Sequence, residues 1–187
     1  MNIYDWDNTI YQGDSTADFV LWLYVHRPLT MLSIFRTAGC GILYGLHLME
    51  KLTFKQNLYH MFVYVKDIDR TADDFVDSHM DHVKDWYLQQ QKKDDMVISA
   101  SPEFMIRRFC AKLGIVNILA SQVDPKTGRY TGVNCHGKEK VRRLQKIEKN
   151  ADIDEFYSDS MSDAPLAALA KKAYLVKGDQ RREWPQK

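Results

Sequence analysis

The chain has 187 residues, of which 45% are hydrophobic and 12% aromatic, and its formal net charge is +1 at pH 7. A chain of this length and composition can bury one good hydrophobic core together with a small subdomain. Acidic residues are interspersed among the lysines and arginines. The charge pattern therefore provides no basic field for nucleic acid, and we expect no nucleic-acid partner.

Cysteine usage and the first residues bear on the cellular compartment. Cys40, Cys110 and Cys135 cannot all pair with one another, and none forms a C-x-x-C motif. This usage is typical of a reducing compartment. The first residues include acids and no basic stretch before an apolar run, unlike a secretory signal. We expect a cytoplasmic protein, and the sequence leaves its oligomeric state open.

The first half of the chain is predicted to contain one short strand followed by helices. Ile3 and Tyr4 form the apolar start of a strand that leads into Asp5-Trp6-Asp7-Asn8-Thr9. From Asp14 to about Gln91 the pattern is helical, with capping-box patterns that begin at Ser15, Thr53 and Thr71. We expect a helical subdomain over residues 14–91, inserted into a core domain formed by residues 1–13 and 92–187.

The second half alternates between strands and helices. The predicted strands cover 96–98, 115–120, 129–133, 153–157 and 173–176, and the predicted helices cover 102–114, 138–148 and 165–171. Such alternation favours an α/β fold with a mainly parallel sheet. The polar tail over residues 178–187 is predicted to be loosely ordered.

The acidic segment at the end of the first strand points to chemistry. Asp5 and Asp7 are two residues apart, so both would point to the same side if the strand continued through them. Ligand sites of open α/β sheets lie at this carboxyl end. A carboxylate can attack phosphorus to form an acyl-phosphate, and we assign that role to Asp5. Asp7 could protonate the leaving oxygen and later deprotonate the attacking water.

Phosphoryl transfer also needs a cation, hydroxyl or amide donors, and Mg²⁺ held by carboxylates. Later in the chain, Lys140 can supply the cation and Ser99 a hydroxyl. Asp159 and Asp163 are four residues apart, so a strand-to-helix turn could bring both to one side of the site. We expect one of them to bind metal and the other to orient Lys140.

These residues occur in the order of a known set of motifs. The chain resembles the haloacid dehalogenase-like phosphatases, in the branch that includes phosphoserine phosphatase. The resemblance rests on Asp5-Trp6-Asp7-Asn8-Thr9 as motif one, Val97-Ile98-Ser99-Ala100-Ser101 as motif two, Gly137-Lys138-Glu139-Lys140-Val141 as motif three, and Asp159 to Asp163 as motif four.

The resemblance implies a Rossmann-like core with an inserted helical cap of the C1 type. It also implies that Asp5 is the nucleophile and a Mg²⁺ ligand, that Asp7 is the acid/base with its backbone carbonyl on the metal, and that Asp159 is the other metal carboxylate. Ser99 and the Ala100 amide would hold the phosphoryl group of a small phosphorylated substrate. Thr9 and Asp14 are further candidates for substrate contact.

Two site assignments have competing interpretations. Lys138 competes with Lys140 as the motif-three lysine, and we prefer Lys140 because its spacing to the apolar residues of the following helix matches the family. Asp14 either contacts the substrate or only caps the first helix.

The substrate is the least determined feature. Phosphoserine phosphatases place a glutamate after motif one and an arginine in the cap. Asp14 could replace the glutamate, but the similar cap helix puts Met61 where the arginine belongs. We therefore expect phosphoserine to be a poor substrate unless Arg27 or Arg36 substitutes from another helix.

A second resemblance, to bacterial phosphatidylglycerophosphate phosphatases, rests on core segments such as Cys135-His136-Gly137 and Tyr157-Ser158-Asp159-Ser160. The stretch 29–48 is unusually apolar, although Arg36 and His47 interrupt it. The uninterrupted apolar run is therefore far shorter than the roughly 20 apolar residues that a membrane span needs. The stretch is ordinary cap core, a surface that contacts membrane, or a span. A phosphomutase and a non-catalytic binding protein are the alternatives of another class.

Overall fold

The computed structural model describes residues 1–185. Within these residues the strands are β1 (Asn2–Tyr4), β2 (Met96–Pro102), β3 (Asn117–Ser121), β4 (Ile153–Ser158), β5 (Ala170–Lys177) and β6 (Gln180–Glu183). The α-helices are α1 (Ser15–His26), α2 (Ile34–Gly45), α3 (Lys51–Tyr59), α4 (Ile68–Ser78), α5 (Asp85–Gln90), α6 (Glu103–Leu113), α7 (Lys138–Ile147) and α8 (Ala164–Ala167). Short 3-10 segments lie at Pro28–Ser33, His60–Tyr64, Met80–His82 and Met161–Asp163.

The strands form one sheet in the order β3-β2-β1-β4-β5-β6. Every neighbouring pair is parallel except β5 with β6, which is antiparallel. The α/β fold with a mainly parallel sheet is thereby confirmed. Strand β1 lies between β2 and β4, which are far apart in the sequence, so the carboxyl ends of these three strands meet at the switch point of the sheet, where α/β proteins bind ligands.

Side chains alternate between the two faces of the sheet, as the pleat requires. Ile3 and Phe156 pack on one face with Leu144 of α7 and Leu166 of α8. On the other face, neighbouring strands carry three tyrosines in register. Tyr157 stacks against Tyr4 and Tyr174, each at a ring-centroid distance of 4.9 Å. Both faces are thus apolar, as a buried central sheet needs.

Helices α1 to α5 lie between β1 and β2 in the chain, as the helical pattern predicts. Phe19 of α1 and Phe75 of α4 belong to the same hydrophobic cluster as Phe109 of α6. Arg108 of α6 donates hydrogen bonds to two aspartates of α4, at 2.7 and 2.8 Å. Arg108 therefore contacts the helical insertion rather than a substrate. The subdomain limits at 13/14 and 91/92 stay a prediction.

The helix caps differ from the predicted ones. The side chain of Asp14 caps α1 and that of Asp67 caps α4, whereas α3 begins after Glu50 without a side-chain cap. The predicted capping boxes at Ser15, Thr53 and Thr71 are therefore wrong in position. Aspartate caps a helix as well as serine or threonine, and the extended backbone of the cap residue decides which one is used.

Three predictions for the second half also need correction. Residues 129–133 form no strand, since only an isolated bridge joins Val123 to Tyr130. The helix predicted over 165–171 ends at Ala167, because β5 begins at Ala170 to pair with β4. The tail predicted to be loosely ordered contains β6, and residues 186–187 lie outside the described part. Strand pairing across the sheet overrides local propensity at the start of β5 and in β6, whereas residues 129–133 pair with no strand of the sheet.

Gly128 links the hairpin after β3 to the helical insertion. Its φ is +71°, and a Cβ built there would lie 2.1 Å from the backbone oxygen of Tyr59. Gly114 has a φ of +73° but nothing within 4 Å of its Cβ position.

We expect Gly114→Ala to lower the free energy of unfolding by about 1 kcal/mol, from left-handed strain alone. Gly128→Ala should cost at least twice as much. Denaturant titration measures both, and equal losses would contradict this close approach.

The carboxyl group of Asp95 makes stability depend on pH. The side chain is completely buried, and its Oδ1 has no hydrogen-bond partner in residues 1–185. Burial raises its pKa to about 6, opposed by the Lys92 N–H and reinforced by Asp94. The folded state therefore holds this proton more tightly than the unfolded state, and stability falls as pH rises between about 4 and 6.

Asp95→Asn removes the buried charge. At pH 7.5 we expect it to raise the free energy of unfolding by up to about 3 kcal/mol, with the gain vanishing near pH 4. Thermal unfolding across this pH range measures the effect, and Asp152→Asn, at an aspartate whose side chain is 77% exposed, is the control. A gain that is independent of pH would contradict the assignment to Asp95.

Candidate active site

A cavity of about 180 Å³ lies at the carboxyl ends of β1, β2 and β4. Its walls are formed by Asp5, Asp7, Asn8, Asp14, Lys51, Lys55, Ala100, Ser101, His136, Lys140, Asp159, Ser160, Ser162 and Asp163. The structure thus brings together most of the residues that the motifs single out. A space of this size suits a small phosphorylated group, since pockets for drug-sized ligands measure several hundred Å³.

A buried ion network occupies the floor of the cavity. Lys140 on α7 is 1% exposed, and its Nζ lies 2.8 Å from Oδ1 of Asp5 and 2.7 Å from Oδ2 of Asp163. Burial alone would lower the pKa of Lys140, but the two carboxylates outweigh it and raise that pKa. The ammonium group is therefore charged throughout the physiological range. Lys138, the rival candidate, is exposed.

Asp5 is held at the end of β1. Its backbone N–H donates to the carbonyl of Tyr157 at 2.8 Å, and its Oδ1 accepts the N–H of Trp6 at 2.8 Å. Burial raises the pKa of Asp5 to about 7; Lys140 opposes this rise, while Asp163 and Asp7 add to it. The ionised form of Asp5 is therefore costly unless a further cation approaches it.

Asp7 is held by hydroxyl groups from two elements. Its Oδ1 accepts the N–H and Oγ–H of Ser15 at 2.7 and 2.6 Å, and its Oδ2 accepts the Oγ–H of Ser101. Burial and then the charge of Asp14 raise the pKa of Asp7 to about 6, although these hydrogen bonds lower it. A carboxyl group with such a pKa can both give and take a proton near neutral pH.

These roles of Ser15 and Ser101 are not predicted by the sequence patterns, which place Ser15 in a capping box and Ser101 at the end of motif two. The D-S pair at 14–15 and the S-x-S pattern at 99–101 are signals of hydroxyl groups near a motif, but only the fold brings both beside Asp7.

Asp159 and Asp163 take different positions. The backbone N–H of Asp159 donates to Oγ1 of Thr9 at 3.0 Å, and burial raises the pKa of its carboxyl group. Asp163 accepts a hydrogen bond from Ser158 at 2.8 Å in addition to its ion pair with Lys140. Thr9 is completely buried and lies outside the cavity wall. The expected substrate contact of Thr9 is therefore corrected: its hydroxyl positions the Asp159 backbone instead.

The remaining predicted residues are Ala100, Ser99 and Asp14, and they differ in whether they line the cavity. Ala100 lines the cavity, whereas Ser99 is completely buried, lies outside the cavity wall and accepts the N–H of Ser101 at 3.0 Å. Asp14 accepts the N–H groups of Thr16 and Ala17 at 3.0 and 2.9 Å, so it caps α1, and it also lines the cavity. The two interpretations of Asp14 are therefore compatible.

The insertion contributes two cations that the sequence analysis missed. Lys51 and Lys55 are one turn apart on α3, and both line the cavity. Lys55 Nζ donates to the carbonyl of Ala100 at 3.5 Å, and burial, then the charge of Lys51, lower the pKa of Lys55. In the sequence, the K-x-x-x-K spacing indicates that both lysines lie on the same face of a helix. Only the fold shows which face of α3 meets the site.

The residues that the sequence suggests at or near the substrate's carboxylate lie elsewhere. Met61 is completely buried in the hydrophobic core, so its predicted place facing the substrate is wrong. Arg27 pairs with Asp74 at 2.9 Å, and Arg36 is hydrogen bonded to Asn57. Neither arginine lines the cavity.

The donor set fits Mg²⁺. Asp5, Asp7 and Asp159 line the cavity with oxygen donors, which are hard ligands of the kind that Mg²⁺ prefers. In residues 1–185, no three His, Cys, Asp or Glu side chains form a complete metal cage. Mg²⁺ needs no such cage, because it usually binds through one or two carboxylates and keeps several waters or substrate oxygens.

A larger cavity, of about 730 Å³, lies between α8, β5 and β6, lined by residues such as Ala167, Lys171 and Trp184. It contains none of the motif residues, so its size carries no argument for catalysis.

Among the described helices, none combines the length and apolar character needed to cross a membrane.

Known proteins resemble the chain in sequence. Over 107 residues it is 31% identical to a histidinol-phosphatase of Neisseria meningitidis serogroup C (strain 8013), a match that spans 51% of this chain and 48% of the relative. It is 27% identical over 107 residues to a probable phosphatase of Mycobacterium tuberculosis (strain ATCC 25618 / H37Rv), spanning 50% and 37%. The match thus covers less than half the length of these curated relatives.

Solved structures share the fold. A protein of unknown function from Bordetella pertussis Tohama I has a TM-score of 0.72 at 16% identity, covering 92% of this chain and 87% of that one. A phosphoserine phosphohydrolase-like protein from Francisella tularensis subsp. tularensis SCHU S4 has a TM-score of 0.55 at 16% identity, covering 92% and 86%. At these identities the likeness concerns the fold alone.

The family profile of the haloacid dehalogenase-like hydrolases covers nearly the whole chain, matching residues 3–168. This range includes all four motifs and every residue of the buried ion network. The chain therefore belongs to the haloacid dehalogenase-like hydrolase family.

Proposed function

We propose that this protein is a Mg²⁺-dependent phosphomonoester hydrolase that works through an aspartyl-phosphate on Asp5. The observation that carries the proposal is the buried contact of Asp5 with Lys140, at 2.8 Å, in a cavity that Asp7 also lines. Lys140 holds one oxygen of Asp5 and partly neutralises the negative charge that gathers when a phosphate enters.

In the first step, a carboxylate oxygen of Asp5 attacks phosphorus while the bond from phosphorus to the ester oxygen breaks. Asp7, in its protonated form, gives its proton to the leaving oxygen, so the alcohol departs neutral and Asp5 carries the phosphoryl group. The pKa of about 6 makes the protonated form of Asp7 available near neutral pH.

In the second step, a water molecule replaces the alcohol. Asp7, now ionised, takes a proton from this water as its oxygen attacks phosphorus. The acyl-phosphate bond breaks, inorganic phosphate leaves, and Asp5 returns to its carboxylate form. Asp163 acts through Lys140: it holds the ammonium group in place and does not touch the reacting atoms.

Asp5, Asp159 and the backbone carbonyl of Asp7 would hold Mg²⁺, which shields the charge on the phosphoryl oxygens. The Ala100 amide and the hydroxyl of Ser99 are the proposed donors to those oxygens, although Ser99 would have to exchange its present bond. Residues 14–91 would act as the cap that excludes water while the intermediate forms.

For the substrate we propose a small phosphomonoester that carries a second anionic group. Lys51 and Lys55 support this assignment, because both line the cavity beside the phosphate site. They also remove the reason for expecting phosphoserine to be poor, since a lysine can bind its carboxylate. Histidinol phosphate, suggested by the curated relative, lacks a second anion and is the natural comparison.

A phosphate carried on a phospholipid head group is the second candidate substrate. The specific observation in its favour is that α2 exposes large apolar side chains and packs on α3, the helix that carries both lysines. A phosphate-release screen that includes phosphoserine, histidinol phosphate, sugar phosphates and a phosphatidylglycerophosphate separates the candidates. Interconversion of two sugar phosphates without phosphate release would instead indicate a phosphomutase.

Asp5→Asn should abolish turnover of an aryl phosphate with Mg²⁺ present, because an amide oxygen does not attack phosphorus as a carboxylate does. We expect kcat to fall by roughly 10³-fold or more. Steady-state phosphate release measures the loss, and removal of Mg²⁺ with EDTA should stop the wild-type enzyme.

The control for this substitution is Asp152→Asn, whose carboxylate is exposed and pairs with Lys171 far from the cavity. It should retain wild-type kcat. Near-wild-type activity of purified Asp5→Asn would overturn the mechanism, and so would activity that persists in EDTA.

Lys55→Met should lower kcat/KM for a substrate with a second anion by about 10- to 100-fold, the value of one charge-assisted hydrogen bond. The loss should be much smaller for an aryl phosphate, which has no such group. Lys66→Met, at an exposed lysine outside the cavity wall, is the matched control. Equal losses for both substrates would mean that Lys55 serves the phosphoryl group itself.

A further inference from the structure

The helical insertion exposes an unusual amount of apolar surface on one side. Helix α2 contains no buried residue at all, although eleven of its twelve residues carry no charge. Large apolar side chains between residues 28 and 52 are more than half exposed, among them Leu29, Leu32, Phe35, Ile42, Leu46 and Leu48. Phe35 reaches 89% exposure. We call residues 28–52 the α2 surface.

An exposed patch of this kind marks an interaction site. Monomeric proteins seldom expose many large apolar groups together, and larger patches usually serve protein or membrane contacts. The α2 surface is attached to the rest of the protein by the packing of α2 on α3 and of the Pro28–Ser33 segment on α1 and on the His60–Tyr64 segment. Arg36 adds a hydrogen bond to Asn57 of α3.

The charges around this surface identify its partner. Residues 28–66 carry four cations, Arg36, Lys51, Lys55 and Lys66, against the single carboxylate of Glu50, a net charge of +3. Residues 67–91 carry seven aspartates against two cations, a net charge of −5. The insertion therefore has an apolar, basic part and a polar, acidic part. Apolar side chains combined with basic ones suit the interface of an anionic bilayer.

A second copy of the chain fits less well. In a symmetric dimer the same patch lies on both sides, so the cations of the two copies would face each other. An anionic bilayer instead attracts each Lys or Arg near its surface while its interface accepts the apolar side chains.

We propose that the α2 surface docks this protein on bilayers that contain anionic phospholipids, with α2 lying in the interface. Because Lys51 lies at the end of this surface and Lys55 one turn after it, and both line the cavity, docking would bring the mouth of the cavity close to the lipid head groups. The docking is independent of the proposed hydrolysis and is expected of the inactive Asp5→Asn variant as well.

Flotation of Asp5→Asn protein with vesicles tests the proposal without any turnover. We expect binding to phosphatidylcholine vesicles that contain roughly 30 mol% phosphatidylglycerol, and at least tenfold weaker binding to pure phosphatidylcholine. Raising the salt concentration from about 0.1 M to about 0.5 M should weaken the binding, because it screens the lysines and arginines.

The double variant Leu32→Ser, Phe35→Ser should reduce vesicle binding at least tenfold. Both side chains are largely exposed, so circular dichroism and the thermal midpoint should stay close to those of the parent. The matched control is Val116→Ser with Ile147→Ser, two exposed apolar residues of the core region, which should bind vesicles like the parent.

Several results would overturn the proposal. The protein could fail to bind the anionic vesicles, or its binding could be independent of lipid charge and salt concentration. The control double variant could also lose as much vesicle binding as Leu32→Ser, Phe35→Ser. Sedimentation velocity gives the remaining outcome: a concentration-dependent dimer that Leu32→Ser, Phe35→Ser abolishes, together with no vesicle binding, would show that a second copy covers the α2 surface. Loss of phosphatase activity in wild-type protein would leave the docking result untouched.

Discussion

One ammonium group shared by two carboxylates, inside a region nearly closed to water, is the interaction on which the site depends. Lys140 reaches Asp5 and Asp163 within 2.8 Å while it is almost fully buried. A buried charge is tolerated only when its partners are in place, and removal of one partner leaves an uncompensated charge that costs several kcal/mol. The position of α7 and the loop before α8 must therefore be accurate to a fraction of an ångström.

The same network leaves the site short of positive charge. Five aspartates line the cavity with three lysines. Burial raises the pKa of Asp5, Asp7 and Asp159, which means that their ionised forms are poorly compensated by the protein alone. Lys51 and Lys55 of the insertion reduce this deficit, and the divalent cation of the proposed mechanism would reduce it further. The insertion thus contributes to the electrostatics of the site.

The charge asymmetry of the insertion gives its two parts different tasks. The acidic part packs through α4 against α6, where Arg108 meets two aspartates. The basic part turns Lys51 and Lys55 toward the cavity and leaves α2 exposed. A lysine buried in an apolar core would be costly, because its charge would lose its water. Here the lysines of α3 face a cavity, while the apolar side chains of α2 lie on the protein exterior.

The sequence by itself determined the fold class and the motifs of the candidate site. Alternating strands and helices predict a parallel sheet, Asp5 and Asp7 stand out because they are two residues apart at the end of a strand, and Lys140 stands out by its place at the start of an amphipathic helix. The apolar period of α7 was enough to prefer Lys140 over Lys138.

Only the tertiary structure decided which other side chains face the cavity. Ser101 and the two lysines of α3 reach it because separate elements converge there, and Thr9 and Met61 turn away from it for the same reason. Ser15 does not line the cavity but donates to Asp7, which does. Strand β6 likewise exists because β5 offers it an edge. Local periodicity reports which side of an element is apolar, but the identity of its neighbour depends on contacts between residues far apart in the chain.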